Sequence, residues 1–414
     1  MLRNSSGARP AGPAPAGIAL RLGAFYGAVF AFIGVQLPFW PVWLKGQGLD
    51  PAALGLVLSA PVWLRLFMPL VAPWVDRSGL RRQAIVAGMW LSVAALATFG
   101  LVSGFWPLLL VSIWLGLAFG PLVPLADNLT MLHVYAWNLD YGRIRLWGSV
   151  TFILANLAAG ALLGDFAVDV ILYLLLALAV IGGLIALALP AAPGAPAAEA
   201  AAAVPKPGAP RPDVTASRPL HGLLRQPLFL LFMAAGALGV ASHAMLYAFG
   251  SLHWQAAGIP DALIGLLWAV GVVAEIGLFA VSNRAVRLFG PVGLLALGAG
   301  AGVLRWCAIA FTTDLALLLL LQLLHGLTFG AAHLGAMHFI ARHVARPWSA
   351  TAQVLYSAAS GGIGLGLGLL AAGQLYERFG FQAMLVMAAL SALALAGSAW
   401  LALRWRGRVL GIAG

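Results

Sequence analysis

Long apolar segments alternate with short polar connections along most of this chain. Twelve of these segments contain few charged residues, and they lie at 18–44, 53–75, 83–104, 107–134, 144–164, 168–190, 227–254, 260–283, 291–312, 314–342, 349–376 and 380–404. A helix of about 20 residues crosses a hydrocarbon core about 30 Å thick. Since backbone groups in lipid must be paired internally, we expect each segment to be a membrane-spanning α-helix.

The composition supports this interpretation. The 414 residues are 62% hydrophobic and only 8% charged, whereas about a quarter of an average soluble domain is charged. A soluble fold of this length would lack the polar groups needed to cover its surface. The predicted fold class is therefore an all-α polytopic membrane protein, which has the lipid bilayer as one partner.

A proline-rich stretch divides the predicted helices into two sets of six. It reads "PAAPGAPAAEAAAAVPKPGAPRPDVTASRPL" and begins at Pro190, and its prolines prevent a continuous helix. We predict a disordered cytoplasmic lead at 1–17, a six-helix bundle at 18–190, a cytoplasmic linker at 191–226, a second six-helix bundle at 227–404 and a cytoplasmic tail at 405–414. The lead lacks the short apolar core of a signal peptide.

Positive charges predict the orientation in the membrane. With an even number of helices both termini lie on one side, and that side receives nineteen Lys and Arg residues, whereas the other side receives only Lys45 and Arg378. Because cytoplasmic loops carry an excess of Lys and Arg, the termini and the linker are predicted to be cytoplasmic, in a bacterial inner membrane. The net charge of +11 follows from this orientation and does not indicate nucleic-acid binding.

The two halves of the chain repeat at an offset of 210 residues. "GLAFG" in the first half corresponds to "GLTFG" in the second. The offset relates three pairs of glycines: Gly48 and Gly258, Gly55 and Gly265, and Gly116 and Gly326. A parallel repeat of six helices plus six is the internal symmetry of major facilitator transporters.

The loop "APWVDRSGLRR", which ends at Arg82, resembles the signature loop between the second and third helices of the major facilitator superfamily. The matching positions are Asp76, Arg77, Gly79, Arg81 and Arg82. Ala72 replaces the usual Gly, which implies a looser helix contact. The resemblance implies that the Asp caps a neighbouring helix, pairs with Arg and holds the outward-facing state as part of a cytoplasmic gate. Ordinary positive-inside charge is the alternative.

Longer stretches narrow the resemblance. "LPFWPVWLKGQGLDPAALGLVLSAPVWLRLFMPLVAPW", "LHWQAAGIPDALIGLLWAVGVVAEIGLFAVSN" and "YGRIRLWGSVTF" are similar to the 3-phenylpropionic acid transporter branch, which belongs with nucleoside proton symporter-like proteins. The resemblance implies proton-coupled symport of a small organic solute by alternating access, with an aromatic carboxylate such as 3-phenylpropionate as the solute.

Four ionisable residues fall inside the predicted spans: Arg65, Asp127, Glu275 and Arg305. Such groups cost roughly 2.5–3.5 kcal/mol each on insertion scales and mark functional sites. Glu275 is the proton-coupling candidate, because a carboxylate partly withdrawn from water can exchange a proton near neutral pH. Arg65 and Arg305 stay charged and suit a solute carboxylate. The alternative is that they form structural ion pairs with Glu275.

Asp127 lies near the predicted cytoplasmic end of the fourth helix, and Arg143 and Arg145 follow a short loop. This arrangement favours a cytoplasmic gate over a solute contact.

The stretch "HGLTFGAAHLGAMHFIARH" carries four histidines. On a helix with 100° per residue they point in different directions, so no metal site and no cofactor are predicted. His333 is the most cavity-facing of them and is a candidate for a proton path with Glu275, with an interhelical hydrogen bond as the alternative. His243 is a secondary candidate, whereas His325 and His338 are predicted to be packing or interface groups.

Aromatic and polar residues of the first and seventh helices complete the candidate site. Tyr26, Gln36 and Tyr247 are candidates for solute contact, because aromatic walls suit a planar solute. Nucleoside symport and drug efflux are the alternatives within transport, and a polytopic membrane enzyme is the alternative of another class. An enzyme is not predicted, because the sequence lacks a concentrated set of catalytic groups. The expected partners are a small organic solute and protons, with no nucleic acid, and the chain is predicted to be a monomer.

Overall fold

The computed structural model describes residues 17–67, 79–192, 219–345 and 348–405 of the chain. The predicted lead, most of the predicted linker and most of the predicted tail lie outside these residues. In the first half the helices are α1 Ile18–Gly46, α2 Pro51–Trp63, α3 Arg81–Phe99, α4 Phe105–Phe119, α5 Leu122–Trp137, α6 Tyr141–Asp165 and α7 Val170–Leu187. A 3-10 turn, Leu64–Phe67, continues α2.

The second half begins with a short helix, α8 Pro219–Leu224. The longer helices that follow are α9 Pro227–Ala241, α10 Ala244–Ala256, α11 Asp261–Ala280, α12 Ser282–Ile309, α13 Leu315–Leu323, α14 Ala332–His343, α15 Ser349–Ser357, α16 Leu365–Phe379 and α17 Met384–Arg404. Two π-helical segments interrupt this half: Gly326–Ala331 joins α13 to α14, and Ala358–Gly364 joins α15 to α16.

Each of the twelve predicted segments contains helix in the part of the chain that the structure describes. Ten helical stretches there are long and apolar enough to cross a membrane, and Pro51–Phe67 is a shorter apolar helix. One stretch of 56 residues, Ser349–Arg404, spans two predicted helices and turns at Gly380–Ala383. The count of twelve crossings stays a prediction, because residues 68–78 lie outside the described ranges.

The outer surface of the molecule is apolar. Large hydrophobic side chains such as Leu101, Trp106 and Leu403 are exposed, which in water would be an unusually large apolar surface. In a bilayer the same side chains face lipid. The chain is therefore an all-α integral membrane protein.

Acidic residues in the loops begin several helices. Asp50 accepts a hydrogen bond from the backbone N–H of Ala53 (2.7 Å), and Asp314 accepts one from Leu317 (2.8 Å). Each aspartate is the N-cap of its helix, α2 or α13, and satisfies a backbone donor that the helix itself leaves free. The loop acids therefore have structural roles in addition to their contribution to charge asymmetry.

The glycine repeat seen in the sequence occupies equivalent places in the two halves. Gly48 and Gly258 each follow a helix with positive φ, +85° and +81°. Gly55 on α2 and Gly265 on α11 each face a carbonyl oxygen of the opposite half, where an added Cβ would come within 2.7 Å. The chain thus forms two pseudo-symmetric bundles, whereas their predicted boundaries stay predictions.

Two close helix pairs join the halves near one end of the molecule. Helix α6 packs on α11, and α2 packs on α16. Besides Gly55 and Gly265, Gly160 faces the carbonyl oxygen of Asp261, and Gly373 faces that of Pro51, at distances that leave no room for a Cβ. Small residues permit this approach of backbones. The bundles are therefore sealed together at the end that the charge pattern predicts to be external.

Candidate functional site

A small cavity lies between the two bundles. The first half contributes apolar side chains, and the second half contributes aromatic and polar ones. The lining residues are Leu37, Phe152, Leu246, Tyr247, Trp268, Gly271, Val272, Arg305, Gln322 and His325. An apolar cavity with a few convergent polar groups has the general form of a small-molecule site.

Glu275 is the membrane-embedded carboxylate beside this cavity. Its Oε2 atom lies 3.8 Å from Nε2 of His325, and its side chain is 20% exposed. Arg145, from the opposite bundle, lies close enough to interact electrostatically with the carboxylate. Neither Arg65 nor Arg305 comes within 4.0 Å of it among the described residues. The charge partner of Glu275 therefore comes from a helix that the sequence assigned to a gate.

Arg305 lies deeper in the second bundle and is almost fully buried, with 1% of its surface exposed. Its guanidinium donates hydrogen bonds to Nδ1 of His325 (3.3 Å), to Oγ1 of Thr328 (3.0 Å) and to Oε1 of Gln322. The ring of Trp306 lies 4.7 Å from Cζ. A buried charge requires such hydrogen bonding, and neutral acceptors provide it here for the two terminal nitrogens, whereas Nε has no partner among the described residues.

Tyr247 links the charged groups of the cavity. Arg305, Glu275 and Arg65 all lie within electrostatic range of its hydroxyl, and its ring lies 6.0 Å from that of Trp268. Arg65 is exposed on the 3-10 turn after α2, and its Nη1 donates to the carbonyl oxygen of Gly361 (3.4 Å). Tyr247 therefore lies within electrostatic range of both Arg65 and Glu275, and the role of the three residues in a common site stays a prediction.

A second polar cluster lies in the first bundle. The hydroxyls of Tyr26 and Tyr141 both donate to Oδ1 of Asp127, at 2.5 and 3.0 Å. Arg145 lies over the ring of Phe30, with Cζ 3.8 Å from its centroid, and 5.3 Å from that of Tyr26. In the described residues Asp127 makes no ion pair within 4.0 Å with Arg143 or Arg145, so tyrosines take the place of the predicted arginine partners.

The predicted gate loop is only partly within the described residues. Asp76 and Arg77 lie outside them. Gly79 has φ +67°, a left-handed conformation that favours glycine. Arg82 donates to the carbonyl oxygen of Leu187 at the end of α7 (2.6 Å), and Arg81 begins α3. The gate role of this loop stays a prediction.

The histidines are arranged differently from the helical wheel. His325 lines the cavity, whereas His333 is exposed and stacks on Phe329. The straight wheel is wrong here because the π segment lies between the two histidines, and a π-helix turns by a smaller angle per residue. His243 is buried, and its Nε2 lies 3.2 Å from Oγ1 of Thr328. Gln36 is half-buried beside the lining residue Leu37.

The sequence missed His325, Gln322, Thr328 and Tyr141. Among them only His325 had a visible signal, an imidazole within a predicted span. The others are ordinary polar residues that gain importance from Arg305 or Asp127. No group of three or more potential metal ligands occurs in the ranges that the structure describes.

Comparisons with known proteins match most of the length of the chain. The model of the MFS_1 like family matches residues 19–387. The chain is 36% identical over 381 residues to the probable 3-phenylpropionic acid transporter of Escherichia coli (strain K12), covering 89% of this chain and 93% of that one. It is 29% identical to the maltose permease of Geobacillus stearothermophilus, with coverage of 86% and 87%. A crystal structure of the nucleoside transporter NupG superposes with a TM-score of 0.77 at 19% identity, covering 94% of this chain and 100% of that one.

Proposed function

Because the chain belongs to the MFS_1 like family of major facilitator transporters, we propose that it is a proton-coupled symporter of a small organic solute. The observation that carries the proposal is the position of Glu275. This carboxylate lies at the cavity between the bundles, next to His325 and within electrostatic range of Arg145 of the other bundle. A partly exposed carboxylate at the junction of two moving bundles can exchange its proton with either side in turn.

Proton and solute binding are linked through Arg145. When Glu275 is ionised, its carboxylate attracts the guanidinium of Arg145. When Glu275 takes up a proton, Arg145 loses that attraction and becomes available to an anion. The protonated protein therefore binds a carboxylate solute better, and by reciprocity the solute favours protonation.

The proposed solute is an aromatic carboxylate such as 3-phenylpropionate. Arg65 is exposed between the bundles, where its planar guanidinium suits bidentate binding of a carboxylate. The rings of Phe152, Tyr247 and Trp268 line the cavity and suit an aromatic ring. The name of the relative at 36% identity supports the same substrate class.

The proposed orientation places both termini in the cytoplasm of a bacterial cell, with the protein in the inner membrane as a monomer. The bundles are closed at the predicted external end by the glycine contacts of α2 with α16 and of α6 with α11. We propose that this closure belongs to an inward-facing state, in which the cavity exchanges with the cytoplasm. The cluster of Asp127, Tyr26 and Tyr141, together with the loop that includes Gly79 and Arg82, is the proposed cytoplasmic gate.

Transport of nucleosides and efflux of drugs are the alternatives within the same fold. The superposition on NupG shows a shared fold, not a shared substrate. The relatives are named transporters or permeases, so the chain is a transporter and not a membrane enzyme.

Uptake into proteoliposomes tests the proposal. Purified protein is reconstituted with an inward proton gradient and offered labelled 3-phenylpropionate, a nucleoside or maltose in parallel. We expect only 3-phenylpropionate to accumulate above equilibrium, and a protonophore to abolish that accumulation. Preferential accumulation of the nucleoside would establish the alternative substrate class, and accumulation that ignores the protonophore would rule out proton coupling.

Two glutamate variants locate the coupling residue. Glu275→Gln keeps the size of the side chain but cannot ionise, so we expect it to lose uphill accumulation while solute exchange survives. Glu377→Gln is the matched control, because Glu377 is exposed at the end of α16. Full proton-driven accumulation by Glu275→Gln would remove Glu275 from the proposed role.

A further inference from the structure

Arg305, His243 and His325 belong to one hydrogen-bond network. Which atom donates and which accepts in this network follows from the groups that can only donate or only accept. A guanidinium can only donate. Arg305 donates to Nδ1 of His325 (3.3 Å) and to Oγ1 of Thr328 (3.0 Å). The atom that accepts each of these hydrogen bonds therefore presents a lone pair, and not a hydrogen, to Arg305.

The tautomer of His243 is determined at the other end of the hydrogen-bond network. Its Nδ1 lies 3.0 Å from the carbonyl oxygen of Gly239, which can only accept, so Nδ1 carries the proton. In a neutral ring Nε2 then accepts from the hydroxyl of Thr328, 3.2 Å away. Thr328 uses its one hydrogen for this bond and accepts from Arg305 with its oxygen. For a neutral His243 ring, no alternative assignment satisfies every one of these contacts.

His325 is fixed in the opposite tautomer. Since Nδ1 accepts from Arg305, the single proton of the neutral ring resides on Nε2. This is the nitrogen that lies 3.8 Å from Oε2 of Glu275. A second proton on the ring would reside on Nδ1, where it would displace the Arg305 hydrogen bond and set two N–H groups against each other.

We propose that Arg305 fixes His325 as the Nε2–H tautomer, so that His325 is a positioning residue that donates to Glu275 and does not itself carry the transported proton. The contact shortens to a hydrogen bond when Glu275 is ionised and is released when Glu275 is protonated. The inference rests on the proposed function only in taking Glu275 as the proton carrier. The tautomer itself follows from the hydrogen bonds alone.

Nitrogen-15 NMR of the full-length protein, labelled at histidine and reconstituted in lipid, tests the tautomer directly. The His325 signals are assigned by their loss in His325→Gln. We expect a bare Nδ1 and a protonated Nε2 at neutral pH, and the reverse pattern for His243. A His325 ring with a proton on Nδ1, alone or in addition to Nε2, would overturn the proposal.

Transport by two amide variants tests the positioning role. The Gln side chain reaches as far as Nε2 of histidine and can donate to Glu275, whereas the Asn side chain reaches only as far as Nδ1. A hydrogen bond to a charged group is worth about 1.5–3 kcal/mol, or roughly 10- to 150-fold. We expect His325→Gln to retain at least about tenfold more uphill accumulation than His325→Asn, with solute exchange similar in the two.

The outcomes separate this inference from the proposed function. Equal accumulation by His325→Gln and His325→Asn contradicts the positioning role, and loss of solute exchange in both assigns His325 to solute binding instead. If Glu275→Gln keeps proton-driven accumulation, Glu275 is not the proton carrier and the positioning role of His325 fails with it, whereas the NMR measurement still decides the tautomer. Accumulation that persists in the presence of the protonophore contradicts the proposed function and leaves the tautomer assignment unaffected.

Discussion

Gly265 of α11 lies against the backbone of Asn156 on α6, where an added Cβ would come within 2.7 Å of the Asn156 carbonyl oxygen. This contact joins the two bundles at their sealed end. Gly55 makes the equivalent approach to Leu369 in the other helix pair. The fit leaves no space for a side chain, so glycine is required for the sealed state and not for folding of either helix.

Gly265→Val should therefore hold the sealed end open. Overpacking costs about 1–3 kcal/mol, so the population of the open state relative to the sealed state rises by roughly 5- to 150-fold. The measurement is labelling of a cysteine at Leu37, which lines the cavity, in a Cys307→Ser background, by an impermeant maleimide added from the predicted external side. The matched control is Gly277→Val on the same helix, because a Cβ there would meet no atom of the described part of the chain within 4 Å. Equal labelling of the two variants would contradict the prediction.

Asn156→Leu should have the opposite effect. The Asn156 side chain is fully buried, and neither its amide nitrogen nor its oxygen has a hydrogen-bond partner among the residues that the structure describes. A buried polar group without a partner costs about 1–3 kcal/mol, and opening of the α6–α11 contact allows water to solvate it. Removal of the amide therefore stabilises the sealed state. We expect a higher melting temperature, reduced external labelling of the Leu37 cysteine and slower transport.

The control for this variant is Asn128→Leu on α5, where the side chain is exposed. Two results would contradict the prediction: a lower melting temperature for Asn156→Leu than for wild type, and the same external labelling of the Leu37 cysteine in both. The buried amide would then not control the equilibrium between the sealed and open states.

Tyr26→Phe should destabilise the first bundle through Asp127. The hydroxyl donates a 2.5 Å hydrogen bond to the carboxylate, and bonds to charged groups are worth about 1.5–3 kcal/mol. Thermal unfolding in detergent should show a loss in this range, whereas Tyr173→Phe, at an exposed tyrosine, should leave the melting temperature unchanged. The double variant with Asp127→Asn should lose less than the sum of the single losses. If the loss of stability in the double variant equals the sum of the two single losses, the hydrogen bond between Tyr26 and Asp127 does not cause the destabilisation.

Asp314→Ala should lower stability by about 1 kcal/mol, the usual value of a helix N-cap. Its carboxylate accepts from the backbone N–H of Leu317 at the start of α13. Asp165→Ala is the comparison, because Asp165 lies at the C-terminal end of α6, where the helix dipole disfavours a negative charge. In chemical or thermal unfolding, Asp314→Ala should be less stable than Asp165→Ala. The reverse order of stability would exclude capping as the role of Asp314.

The amino-acid sequence determined the membrane class and the helical fold, because both follow from local properties. The length of an apolar segment shows whether it can cross the bilayer. Because unpaired backbone groups are costly in lipid, such a segment must be helical. The offset of 210 residues also identified Gly55 and Gly265 as equivalent before any coordinates. Glu275 could be recognised because a carboxylate in a span is costly wherever it points.

Only the tertiary structure decided which groups meet. Arg145 and Glu275 lie on different bundles, and their approach depends on how α6 packs against α11, which no local pattern encodes. The direction of His333 relative to His325 differs from the helical wheel because the π segment Gly326–Ala331 changes the angle at which the residues after it point. A helical wheel assumes regular geometry, so it fails where a helix is irregular. One such irregular segment lies between His325, which lines the cavity, and His333, which is exposed.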